Sequence, residues 1–199
     1  MRARGFTLIE LLVVMTIGAI LVASAVPSFQ WMIATTRASS GANSLVGSFD
    51  LARSEAIRRG TVVSVCRTLD PNAAPAALAC SNAAGAGFAA GDWGSGWVMF
   101  EKRTPIPPGV AGTFDPLTDV VLQRRQPVGV GATRLILSGN LPGAAVAYDR
   151  FGTAASSAGT FSIDYRDTAV VTLSGAARCV VVAAVTGRVA LNKPTAGTC

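Results

Sequence analysis

The sequence contains no histidine. That removes the commonest general base and the commonest transition-metal ligand. It also has no G-x-S-x-G, H-E-x-x-H, Walker A or C-x-x-C segment, so the usual marks of hydrolases, metalloproteases, nucleotide binders and dithiol redox proteins are missing. No catalysis, metal or cofactor is expected. Charge is scarce too: Asp, Glu, Lys and Arg make up 14% of the residues and hydrophobic residues 50%, a balance that excludes a disordered chain. The net charge of +6 permits attraction to anionic lipid or nucleic acid without demanding it.

Charge is thinnest at the start of the chain. From Phe6 to Val26 the only formally charged side chain is Glu10. About 20 apolar residues in a helix span the roughly 30 Å of a bilayer's hydrocarbon, and this run is long enough. Arg2 and Arg4 precede it, which predicts a cytoplasmic N-terminus and an exported remainder. A carboxylate in such a helix costs about 2.5–3.5 kcal/mol. One turn in, the positive helix N-terminus lowers that cost, and so would a cation from another chain. If the chain were cut between Gly5 and Phe6, the new amine of a neighbouring copy would be that cation. Ala23-Ser24-Ala25 also reads as an ordinary signal cleavage site that would free a protein starting at Val26. Glu10 argues against it, because the core of an ordinary signal has no use for a charge.

The segment Gly5-Phe6-Thr7-Leu8-Ile9-Glu10-Leu11-Leu12 resembles the class III signal of type IV prepilins and type II secretion pseudopilins. The resemblance implies a prepilin peptidase that cuts after Gly5 and methylates the Phe6 amine. It also implies that Glu10 contacts the N-terminus of an adjacent subunit during filament assembly.

The expected organisation is a leader at residues 1–5, a membrane and filament-core helix at 6–30, and one globular domain at 31–199. Pro27 removes an amide donor and should kink the helix. Beyond it, Ala38, Ala42, Leu45, Phe49, Ala52 and Ala56 recur at alternating steps of four and three, an apolar stripe that predicts helix to about residue 59. Gly60 is placed to cap it. From Thr61 the period shortens and runs rich in β-branched residues follow: 61–66, 96–100, 120–124, 134–137, 145–148, 159–164, 177–184 and 186–191. The stretches 70–92 and 104–119, dense in Ala, Gly and Pro, read as loops. The fold class is α+β, a long helix packed on an antiparallel sheet.

Four cysteines in an exported domain point to disulfides. Three pairings are possible; Cys66–Cys80 and Cys179–Cys199 are closest in sequence, each closing a loop of roughly 15–20 residues worth about 3 kcal/mol. The spacings do not suit zinc. Trp93 and Trp97 resemble a ligand platform, but packing is the better reading. Asp115 and Asp119 bracket a loop in the manner of a calcium site, but no third acid lies close in sequence, so a solvated turn is preferred.

Three further segments, Asp92-Trp93-Gly94-Ser95-Gly96-Trp97-Val98-Met99-Phe100, Phe151-Gly152-Thr153, and Arg178-Cys179-Val180-Val181-Val182 running into Gly187-Arg188-Val189, resemble the GspH/FimT family of minor pilins and pseudopilins. The resemblance implies a type IV pilin-like fold, single-pass anchoring in the bacterial inner membrane with a periplasmic domain, and partnership with other minor pilins or pseudopilins and a major pilin. It does not separate a type IV pilus from a type II secretion pseudopilus. Some FimT-like pilins bind DNA through basic residues after a Gly-Arg pair. Here Arg178, Arg188 and Lys193 are the candidates, with Ala190 where a second arginine would strengthen the match and no aromatic interleaved for base stacking.

Overall fold

The computed structural model describes residues 7–104, 113–128, 133–139, 145–154, 159–167, 177–194 and 199, with the backbone alone at 25–28, 30, 133–139 and 164–167. Its first element, α1 (Leu8–Arg59), is a helix of 52 residues, about 78 Å long at 1.5 Å per residue. Thr7 caps its start in an extended conformation, its hydroxyl accepting the Glu10 amide at 3.3 Å. Gly60, at φ +66°, ends it in the left-handed conformation that glycine adopts without strain. Pro27, where the sequence leads one to expect a kink, lies within α1, whose helix runs through it from Leu8 to Arg59.

The sequence stripe is the buried face. Ala34, Ala38, Ala42, Leu45, Phe49, Ala52 and Ala56 are all fully buried. Alanines at most of these positions let the helix axis approach the sheets closely, while Leu45 and Phe49 fill the gaps between strands. Each of those two large side chains stabilises the fold by about 1.5–3 kcal/mol.

Among the described residues eight antiparallel strands follow: β1 (Val62–Arg67), β2 (Trp97–Lys102), β3 (Val120–Arg125), β4 (Thr133–Gly139), β5 (Ala145–Tyr148), β6 (Gly159–Asp167), β7 (Arg178–Val182) and β8 (Val189–Asn192). The single sheet expected from the sequence is instead two four-stranded sheets, ordered β3-β2-β1-β5 and β4-β6-β7-β8. The chain leaves the first sheet after β3, forms β4, and returns as β5 to pair with β1. Local periodicity identifies a strand but carries no information about so distant a partner.

The helix packs on both sheets. Phe49 meets Trp93 edge-on at 6.1 Å and lies 5.4 Å from Phe161 of β6, and Trp93 and Phe161 meet edge-on at 5.1 Å. From β2, the indole Nε1 of Trp97 donates to Ser48 Oγ at 3.0 Å. Both tryptophans are buried, so they are core rather than platform.

The other face of the first sheet is covered as well. Cys66, Leu78, Val98, Phe100, Phe114 and Ala145 form a second apolar cluster beneath the long 68–92 loop. The loop is fixed at its root by the Cys66–Cys80 disulfide. Arg67, completely buried, holds its middle: Nε donates to the Asp92 carbonyl at 2.6 Å, Nη1 to Ser81 and Ala83 at 2.6 and 2.8 Å, and Nη2 to Ala89 at 3.2 Å. Burial pushes the guanidinium below its ordinary pKa, and the nearby Asp92 charge opposes that.

Candidate functional site

Three regions carry the residues singled out by the sequence. In the first, the N-terminal half of α1, no other described residue covers the described apolar side chains. Leu8 is 83% exposed and Ile9, Met15 and Ile20 about as open, at 69–70%. So large a bare apolar surface marks a membrane or protein contact. Glu10 lies in its first turn, exposed, beside the Thr7 cap. Among the described residues no helix is long and apolar enough to cross a membrane. Part of the expected span, Phe6 and the side chains of 25–28 and 30, lies outside the described residues, as do the leader and Gly5.

The second region is the last hairpin. Cys179 of β7 is bonded to Cys199, which carries the C-terminus back onto the sheet. Arg188 and Lys193 are exposed at opposite ends of the edge strand β8. Five positions of extended chain put them about 16 Å apart. Arg178 is half-buried, and its Nη1 donates to the carbonyl of Ala177 at 2.8 Å. The three cations therefore do not converge on one spot.

The third region went unnoticed in the sequence as a site. The turn after β5 is clamped from all sides. The Asp149 carboxylate accepts the amides of Phe151 and Thr153, each at 2.9 Å, and the Thr153 hydroxyl at 2.8 Å. Burial raises the pKa of that carboxyl, but the hydrogen bonds from Thr153 and Phe151 outweigh it and hold the group below its ordinary range. Arg53 of α1 donates from Nε to the Gly152 carbonyl at 3.0 Å. A methyl group added at Gly187 would collide with that same carbonyl, so the β7–β8 turn sits directly on the β5–β6 turn. An Asx turn made by Asp149, with Gly152 and Thr153 directly behind Phe151, was readable here. Its meeting with Gly187 was not.

Asp115 and Asp119 are engaged in a turn. Asp119 accepts Lys102 Nζ and the Asp115 amide, both at 2.8 Å, while Asp115 accepts the Leu117 amide at 3.0 Å. With a lysine ammonium on one carboxylate and backbone amides on both, the pair is arranged as a capped turn.

Two family models match the chain: type II transport protein GspH over residues 41–186, and the prokaryotic N-terminal methylation motif over residues 1–26. Among solved structures, the chain is similar to the type IV minor pilin FimU of Pseudomonas aeruginosa PAO1 in two crystal forms. One is 17% identical with a TM-score of 0.47, the alignment covering 77% of this chain and 87% of that one. The other is 19% identical with a TM-score of 0.43, covering 77% and 91%. No curated protein matches significantly.

Proposed function

Because the chain belongs to the GspH family of type II transport proteins and carries the prokaryotic N-terminal methylation motif of pilins and pseudopilins, we propose that it is a processed filament subunit. In this reading prepilin peptidase removes residues 1–5 at the inner membrane and methylates the Phe6 amine. Before the cut Arg2 and Arg4 hold the N-terminus on the cytoplasmic side; after it the apolar half of α1 anchors the chain, with the domain in the periplasm. On assembly that half passes from lipid into the core of a type IV pilus or type II secretion pseudopilus, beside other minor subunits and the major one. The work is structural, with no reaction catalysed. The observation that carries this reading is the coincidence of the methylation motif with a capped helix whose apolar side chains are bare from Leu8 onward.

The test is the mature terminus. Mass spectrometry of the membrane-extracted protein is expected to show a chain starting at N-methylated Phe6. A terminus at Val26 would overturn the filament reading, because the anchor and Glu10 would be gone.

A second reading, DNA uptake through Arg178, Arg188 and Lys193, draws on the exposure of Arg188 and Lys193. Three cations spread over the last hairpin, Arg178 in β7 and Arg188 and Lys193 at opposite ends of β8, are weak against the six to ten phosphate contacts of a strong DNA binder. Detergent-solubilised full chain is expected to show no saturable binding of duplex DNA below about 1 mM at physiological salt, a bound weaker than even ordinary non-specific binding. Tight binding whose salt slope falls by about one unit in each of Arg188→Ala and Lys193→Ala would establish the DNA reading instead.

A further inference from the structure

At the end of α1 farthest from the membrane motif, three large apolar side chains stand in water: Ile57 at 52% exposure, Phe151 at 70% and Val185 at 80%. They belong to three segments that meet at Gly152. A methyl group there would lie 2.8 Å from Ile57 Cδ1, and the Gly152 carbonyl blocks any side chain at Gly187, two residues past Val185. The turn carrying Phe151 is held by the Asp149 carboxylate and by Arg53. The aromatic ring is thus presented at little further cost in ordering, the property that lets a preorganised anchor contribute to affinity. From Leu8 the patch is some 75 Å away along the helix, well beyond a bilayer's reach.

Its rim is basic. The Arg150 guanidinium lies 5.0 Å from the Phe151 ring centroid, and exposed Arg188 follows Gly187 directly. Of the neighbouring carboxylates, Asp149 is engaged in its turn and Glu55 is paired with Arg58 and Arg59. Asp149, whose partners are neutral, and Asp50 together set two negative charges against the three positive charges of Arg53, Arg150 and Arg188.

We propose that Ile57, Phe151 and Val185, with Arg150 and Arg188 at the edge, form the docking surface for a different subunit of the same filament, one presenting an apolar pocket edged by carboxylates. This rests on the filament reading above. Aromatic and arginine anchors around an apolar centre are what protein interfaces are built on. Nucleic acid fits less well, since Ile57 and Val185 offer no π face for a base. A second copy fits less well too: a two-fold contact sets the same basic rim against itself, and like charges facing each other across an interface cost several kcal/mol.

The experiment is photo-crosslinking of the full chain in the cells that make it, with p-benzoylphenylalanine at Phe151. The same residue at Leu117, 92% exposed on another loop, serves as control. Position 151 is expected to yield an adduct with a different chain that itself carries the N-terminal methylation motif, mapped by mass spectrometry to a peptide containing Asp or Glu. Arg150→Glu with Arg188→Glu should lower the yield by about tenfold or more. Val185→Glu, at an exposed turn position where folding is not at stake, should lower it as well. An adduct with a second copy, with nucleic acid or with lipid overturns the proposal, as does no adduct, the same peptide captured from position 117, or indifference to both sets of substitutions. Filament content is read in the same samples. A chain that enters filaments without the adduct removes the docking surface alone; a wild-type chain never found in filaments removes the filament reading.

Discussion

Glu10→Ala is expected to leave processing and folding intact while lowering incorporation into filaments by about a hundredfold or more. Nothing in the domain depends on this side chain. It is exposed in the first turn of α1, and the local cap uses the Glu10 backbone amide rather than its carboxylate. Among the described residues no cation pairs with it. Inside a filament core the carboxylate would be desolvated, and the amine of a neighbour's Phe6 is the charge that could satisfy it. Removing one member of such a pair costs about 3–5 kcal/mol, because the other is left buried and alone, and about 1.4 kcal/mol corresponds to a factor of ten. The measurement is the share of methylated chain found in sheared filaments relative to membranes. Wild-type incorporation of Glu10→Ala would remove the proposed role in subunit register.

The second large effect is expected in the domain. Arg67→Met keeps most of the buried volume but withdraws donors from the carbonyls of Ser81, Ala83, Ala89 and Asp92. Ala89 keeps the Asp92 amide and Asp92 the Ser95 hydroxyl, so Ser81 and Ala83 bear most of the loss. Each buried acceptor left unpaired costs about 1–3 kcal/mol. Part of this is recovered, since the guanidinium no longer has to be desolvated and the loop relaxes toward water. A net loss of about 3 kcal/mol is expected, or roughly 6–12 °C in Tm for a domain of this size. Limited proteolysis should cut first between residues 81 and 91, because the Cys66–Cys80 bond still holds the root. A Tm within 1 °C of wild type would show that Arg67 is not what holds the loop.

What was legible in the sequence was local. The Ala-rich stripe from Ala38 to Ala56, the Gly60 cap and all eight strands follow from spacing and residue type, and the two disulfides join the cysteines nearest in sequence. What was not legible depends on distant parts of the chain meeting. The division into two sheets turns on β5 choosing β1 across the whole β2–β4 segment. In β1, Val63 through Arg67 are all buried, without the alternation of a half-exposed strand. The reason is that one face packs on α1 and the other lies under a loop that reads as featureless. Arg67 gave no signal because an arginine ending a strand ordinarily points into water. Phe151 was legible only as part of a family-like segment, because its exposure and its neighbours are set by Gly187, on another hairpin.

The disulfide connectivity has a consequence for timing. In the proposed filament reading the chain is exported behind its N-terminal helix in sequence order, so Cys66 would emerge first and Cys80 next, with Cys179 and then Cys199 much later. Both native bonds join consecutive cysteines. At each moment the partner a newly exported thiol needs is the next thiol to arrive. On that route the first bridge can close while most of the β-strands are still on the other side, and the second waits for Cys199. A domain oxidised in this order never has to break a bond it has made, and reaches its final connectivity without the seconds-to-hours reshuffling that crossed pairings demand.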